Sequence, residues 1–192
     1  EYKPMNPRWA FCWMLLVVLS GCSRTAPSGR AQDLDGNPVD PITTTGAKAI
    51  VLIFMRTNCP IANRLAPEIR QIQQNFAPRG VEFFTVYPDP DEPADAIRVH
   101  QKDYAVDCMA IRDPGHLLVK QAQASVTPEA AVFNSQRQMV YRGRINDQFV
   151  DFGKTRSEPT SHDLVNALEA ILNNQPVPNP TTKAIGCFIA DL

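Results

Sequence analysis

Apolar and polar positions alternate along this chain in blocks whose periods distinguish strands from helices. Ala49 to Phe54 is an unbroken apolar run of strand length, the pattern of a central strand covered on both faces. Arg56, Thr57 and Asn58 interrupt it, and then Ile61, Leu65, Ile69, Ile72 and Phe76 recur at helical spacing. Pro60 suits the first turn of that helix, where its missing N–H would have had no intrahelical partner. The spacing therefore predicts a strand, a short turn holding Cys59, and a helix from Pro60 on that Pro67 kinks and Pro78-Arg79-Gly80 ends.

Downstream, Val81 to Tyr87 reads as a second strand rich in β-branched and aromatic residues. Ala94 to Tyr104 reads as a helix, Val106 to Ile111 as a short strand, and His116 to Ala124 as another helix. Ala130 to Phe133 and Met139 to Ile145 read as an antiparallel hairpin. The last helix is His162 to Leu172, which Ser161 can cap. Before the central strand, Leu34 to Thr45 reads as a leading hairpin turned at Asp35-Gly36-Asn37. The order fits a mixed sheet with helices on both faces. Residues 33–174 form the domain, and 175–192 a proline-stiffened tail that packs on it.

The first residues follow a different logic. Lys3 and Arg8 precede an apolar stretch from Ala10 to Leu19, too short to span a bilayer as a mature helix. Leu19-Ser20-Gly21-Cys22 resembles the bacterial lipobox. That resemblance implies a signal segment over 1–22, a lipid on Cys22, and a tether over 23–32. The expected location is extracytoplasmic, on the outer membrane's periplasmic face where the host has one.

The chain is 192 residues long with a formal net charge of -1 and five cysteines. Near-neutral charge argues against nucleic acid as a partner. With Cys12 removed and Cys22 acylated, Cys59, Cys108 and Cys187 remain as thiols in a compartment where disulfides persist. Cys59 matters most. A sulfur at a helix N-terminus faces unpaired N–H groups and the positive end of the macrodipole, which lower a thiol pKa and make a nucleophile.

On these residues the chain resembles the thioredoxin-like redoxins of the alkyl-hydroperoxide-reductase and thiol-specific-antioxidant group, over roughly residues 33–187. Phe54 to Ile69 aligns without gaps with that group's strand, redox turn and helix. Cys59 falls on the first cysteine of the usual C-x-x-C and Ala62 on the second. Thr127-Pro128 before Ala131-Val132-Phe133 resembles the cis-proline loop facing the redox cysteine. An extracytoplasmic subgroup matches further, through Cys59-Pro60, Thr127-Pro128, Tyr141-Arg142-Gly143 and Gly186-Cys187-Phe188-Ile189. The resemblance implies a thioredoxin-like α/β fold with an N-terminal β-hairpin and an extended C-terminal tail.

It also implies thiol–disulfide chemistry on a protein thiol or disulfide partner, with Cys59, Cys187, Pro128, Thr127 and Arg56 at the site and no cofactor or metal. With Ala62 in place of the second cysteine, a two-electron dithiol cycle needs a resolving thiol from elsewhere. Cys187 is the leading candidate. Cys108 is the alternative partner, though its apolar neighbours suit a buried, inert thiol, and the other reading of Cys187 is a packed small hydrophobe. Peroxiredoxins place threonine three residues before the reactive cysteine and arginine beside the proline loop. Here Arg56 and Thr127 exchange those places, which ranks thiol–disulfide exchange above peroxide reduction. Arg56 is expected to lower the Cys59 pKa or hold an anionic oxygen. A non-catalytic redoxin-fold module of a larger assembly is a further reading. Copper handling is disfavoured because Ala62 and Asn63 supply no second cysteine. His116, opening a helix, reads as a cap or surface residue, and His100 and His162 likewise.

Overall fold

A computed structural model describes residue 1 and residues 30–190. The expected signal segment and Cys22 lie outside the described residues, as does most of the tether. No helix among the described residues is long and apolar enough to cross a membrane.

The sheet is built around Ala49–Phe54 (β2), all six residues buried. Two strands pair with it in parallel succession, Val81–Tyr87 (β3) and then Met109–Arg112 (β4). Gln32–Asp33 (β1) closes that edge antiparallel to β4. On the other side Glu129–Asn134 (β6) runs antiparallel to β2, and Met139–Gly143 (β7) antiparallel to β6. The order is β1-β4-β3-β2-β6-β7, a central mixed sheet.

The continuous apolar run of β2 follows from burial on both faces. Ala49, Val51 and Ile53 point into a core filled by Pro60–Phe76 (α1), Ala94–Tyr104 (α2) and Asp163–Leu172 (α4). Ile50, Leu52 and Phe54 point the other way, onto Leu117–Ala122 (α3). Helix α1 carries Ile61, Leu65, Ile69, Ile72 and Phe76 on its buried face and continues through Pro67.

Several expectations need correction. The leading hairpin is one tight turn: Val39 N–H donates to Ala31 C=O at 3.0 Å, Gln32 bridges Pro38, and Pro41–Thr43 then forms a 3-10 turn in place of a second arm. The strand read over Val106 to Ile111 begins only at Met109, because Gln101 closes the preceding turn through Val106 N–H and Cys108 C=O. Ser161 does not cap α4; His162 holds the N-cap position, and the Ser161 C=O and N–H bind Asp147 instead. The pattern gave no sign of the ribbon of Phe149–Asp151 (β8) with Lys154–Thr155 (β9), which is short and exposed.

The tail packs on the domain at two places. Arg142 N–H donates to Pro180 C=O at 2.9 Å, and Thr182 N–H to Arg142 C=O at 3.0 Å. Farther on, Cys187–Phe188 (β10) pairs antiparallel with Val126–Thr127 (β5), the two-residue strand before β6.

Candidate active site

Cys59 occupies the N-cap of α1, its own N–H donating to Arg56 C=O at 3.1 Å and its C=O accepting from Asn63 N–H at 3.0 Å. It is buried at 0% exposure. The thiol donates to the carbonyl oxygen of Thr127 at 3.0 Å, across a Thr127–Pro128 peptide bond that is cis. β10 sets Cys187 opposite Thr127. The structure therefore brings Cys59, Thr127, Pro128 and Cys187 together.

The electrostatics of the two sulfurs differ. Burial disfavours a Cys59 thiolate, but hydrogen bonds from the Cys187 thiol, the Ala62 N–H, the Cys187 N–H and the Thr127 side chain outweigh it and hold Cys59 below the ordinary cysteine value. Cys187 is pushed up to about 11, by burial first, then by its hydrogen bond to Cys59 and the charge there; Arg56 opposes this. Between the two, Cys59 is the sulfur that ionises first. The Thr127 carbonyl contact is one that only the protonated Cys59 makes.

Arg56 Nη2 pairs with Asp89 Oδ2 at 2.6 Å, in the loop after β3, and its charge favours the Cys187 thiolate. Cys108 is remote in chemistry as well as in sequence: it is buried, and burial first, then the Asp107 charge, push its thiol up to about 12.

Behind the redox turn lies a polar chain that sequence reasoning missed. Glu92 Oε1 accepts from both the Thr57 N–H (2.8 Å) and the Thr57 hydroxyl (2.7 Å). Asn63 donates its amide to Thr57 C=O at 3.0 Å, and its Oδ1 faces His100 Nε2 at 2.8 Å. The carbonyl-type Oδ1 requires a proton on Nε2, so Nδ1 accepts from the Tyr87 hydroxyl at 3.0 Å. Burial lowers the His100 pKa, which keeps the ring neutral. His100 is thus a buried strut between α1 and β3, contrary to its expected surface role. Its placement one turn after Ile97 on the buried face of α2 was the available signal. His116 holds the N-cap position of α3 but is buried rather than on the surface, with Nε2 donating to Pro88 C=O at 3.0 Å, while the Asp113 carboxylate accepts from Leu117 and Val119 N–H. His162 is half exposed and meets Glu68 at 3.2 Å. No cluster of metal-ligating side chains occurs among the described residues.

The Tyr141-Arg142-Gly143 motif holds the tail. The Tyr141 hydroxyl donates to Arg144 C=O at 2.6 Å and accepts from Thr182 Oγ1 at 2.8 Å, while Arg142 Nη1 donates to Gln123 C=O at 2.6 Å. Beside the thiols, Arg56, Asp89, His116, Thr127 and Phe188 line a groove of about 140 Å³. A larger hollow of about 1090 Å³ lies at the opposite end of β2, lined by residues such as Lys48, Arg137 and Val177, and contains no cysteine.

Comparison with known proteins agrees with this architecture. The Redoxin family profile matches residues 23–154. The chain belongs to the redoxin family. No curated protein matches it. Among solved structures, an uncharacterized conserved protein from Geobacillus kaustophilus superposes with a TM-score of 0.73 at 22% identity, covering 85% of this chain and 88% of that one. A hypothetical protein from Sinorhizobium meliloti gives 0.72 at 22% identity, covering 82% and 87%. A secreted Mycobacterium tuberculosis disulfide oxidoreductase gives 0.51 at 17% identity, covering 75% and 93%. These likenesses establish a thioredoxin-like fold for this redoxin.

Proposed function

We propose that this redoxin is a thiol–disulfide oxidoreductase that uses Cys59 as nucleophile and Cys187 as resolving thiol, acting on a protein partner. The observation that carries the reading is the seating of Cys187 against Cys59 at the N-terminus of α1, with the lower pKa on Cys59. Cys59 thiolate attacks one sulfur of the partner's disulfide. That S–S bond breaks, a mixed disulfide forms, and the departing thiolate takes up a proton. Cys59 then carries no charge, so the hydrogen bond to its thiolate and the charge there, which add to burial in raising the Cys187 pKa, are gone while Arg56 still favours the Cys187 thiolate. Cys187 loses its proton, attacks the Cys59 sulfur and releases the second partner thiol. Two electrons pass from the chain's dithiol to the partner, and the reverse sequence oxidises a partner dithiol.

Lipid attachment at Cys22, with the domain of residues 33–174 held outside the cytoplasm by the 23–32 tether, completes the proposal. It rests on the lipobox resemblance. Radiolabelled fatty acid that labels the full chain but not its Cys22→Ala variant supports it.

The activity is tested by turnover of a protein disulfide with an external dithiol reductant. Turnover should vanish in Cys59→Ser, and Cys187→Ser should accumulate the Cys59 mixed disulfide. Rapid consumption of hydrogen peroxide without disulfide turnover would replace this reading by a peroxidase. Neither activity, with a Cys59–Cys187 disulfide that dithiols cannot reduce, would make the domain a structural module.

A further inference from the structure

Cys59 has 0% exposure, so no partner disulfide reaches its sulfur until something moves. The elements around it are unequal in their ties. Thr127 and Pro128 lead directly into β6, a strand paired on both sides within the main sheet. The tail segment is held to β5 by two register pairs and two further bonds, Ile189 N–H to Ser125 C=O at 3.0 Å and the Thr127 hydroxyl to Cys187 C=O at 3.5 Å. Phe188 in the middle of it is 73% exposed. The tail is therefore the element that yields most readily. When it leaves, the outer edge of β5 exposes unpaired backbone groups beside Cys59, a template for an extended strand.

Gly186 sets what fits there. A Cβ on it would lie 2.2 Å from the Thr127 carbonyl oxygen and 2.6 Å from its carbon, well inside contact distance. A segment that places a cysteine where Cys187 stands must cross the Thr127–Pro128 turn with no side chain at the preceding residue.

Resting on the thiol–disulfide reading, we infer that Gly186–Phe188 is a displaceable internal occupant of the substrate edge, and that the partner is an extended, disulfide-bearing segment with glycine before its cysteine. Tail and partner exclude each other because they use the same edge. After Cys59 has formed the mixed disulfide, the returning tail brings Cys187 to attack the Cys59 sulfur. That single return breaks the mixed disulfide, releases the partner thiol and reoccupies its backbone site.

The test uses the full chain and two synthetic peptides, AIGCFIA and AIACFIA, each with its cysteine as a mixed disulfide to a chromogenic aryl thiol. Attack by Cys59 forms the protein–peptide disulfide and releases the coloured aryl thiolate. Gly186→Ala drives the tail off its edge by overlap, and Ile189→Ser loosens it independently by removing a buried anchor. Either variant should release the aryl thiolate from the glycine peptide about tenfold faster than the parent, and that peptide should outpace the alanine peptide by about tenfold. Equal rates for the two peptides, or no acceleration in either variant while a small aromatic disulfide still reacts with Cys59, overturn the inference. Failure of the small disulfide to react in every variant would instead remove the underlying thiol–disulfide reading.

Discussion

Cys187 stands directly opposite Thr127 in the short β5–β10 ladder, and the carbonyl of that same Thr127 accepts the Cys59 thiol at 3.0 Å. One residue thus positions both sulfurs. Where a C-x-x-C motif carries its second thiol this chain has Ala62, and backbone pairing rather than the turn itself brings Cys187, 128 positions after Cys59, to the site.

The pKa difference between the sulfurs follows from that arrangement. Removing the Cys187 thiol in Cys187→Ala takes away the strongest hydrogen bond favouring the Cys59 thiolate, so the Cys59 pKa should rise. Because the folded Cys59 pKa lies below the ordinary thiol value of about 8.5, its contribution to stability is present above that value and is lost as pH falls through the folded pKa. The variant should shrink this segment of the pH–stability curve. The pH dependence of Cys59 thiolate absorbance, and of unfolding by urea, checks both.

Cys108 should be a bystander. Its thiol, buried and pushed up to about 12, offers almost no thiolate at neutral pH. Its folded pKa is raised, so its contribution to stability is complete below about 8.5 and is lost as pH rises toward the folded value. Cys108→Ala should leave the reduction potential of the Cys59–Cys187 pair unchanged and cost about 1 kcal/mol for the small cavity. Peptide mapping without reductant that finds Cys108 joined to either other cysteine would contradict this.

The main strands and helices were legible because their periods are strong: β2, β3, α1 and α2 fall on the residues that the pattern predicts. Cys59 was legible for the same reason, since strand, turn and proline fix the helix start. The rest of the site depends on long-range contacts that no local period encodes. Glu92 lies in a proline-rich loop and meets Thr57 only through the fold, 35 residues apart. Arg56 carries no mark in the sequence that it would turn to Asp89. The tail's two-residue strand is too short to announce itself, and its position comes from pairing with β5.

Glu92 gives a prediction about the turn's rigidity. Glu92→Ala leaves the Thr57 N–H and hydroxyl without their shared acceptor, which should cost about 1–3 kcal/mol. Glu92→Gln keeps a carbonyl oxygen there and should cost less. Burial raises the Glu92 pKa, so its neutral form is favoured in the fold. Its stabilising contribution is complete below the ordinary glutamate value of about 4.3 and declines as pH rises through the folded pKa. Glu92→Gln should flatten that decline, as measured by urea unfolding across the acid range.

Gly143 tests whether the Tyr141-Arg142-Gly143 motif serves the tail. Its φ is +148°, and a Cβ there would fall 2.1 Å from Thr182 Oγ1 and 2.4 Å from the Thr182 carbonyl oxygen. Thr182 Oγ1 is already committed twice, donating to the Tyr141 hydroxyl at 2.8 Å and accepting from Arg144 N–H at 3.1 Å. Gly143→Ala should therefore push Thr182 off β7, breaking both bonds together with the Arg142 backbone pair, at a cost of about 1–3 kcal/mol. The loss should be local, because β7 keeps its ladder with β6. Hydrogen exchange separates the possibilities: amides of residues 182 and 187–189 should lose protection while those of β2 and β3 keep theirs. Uniform loss across the sheet would mean that Gly143 supports the whole fold rather than the tail.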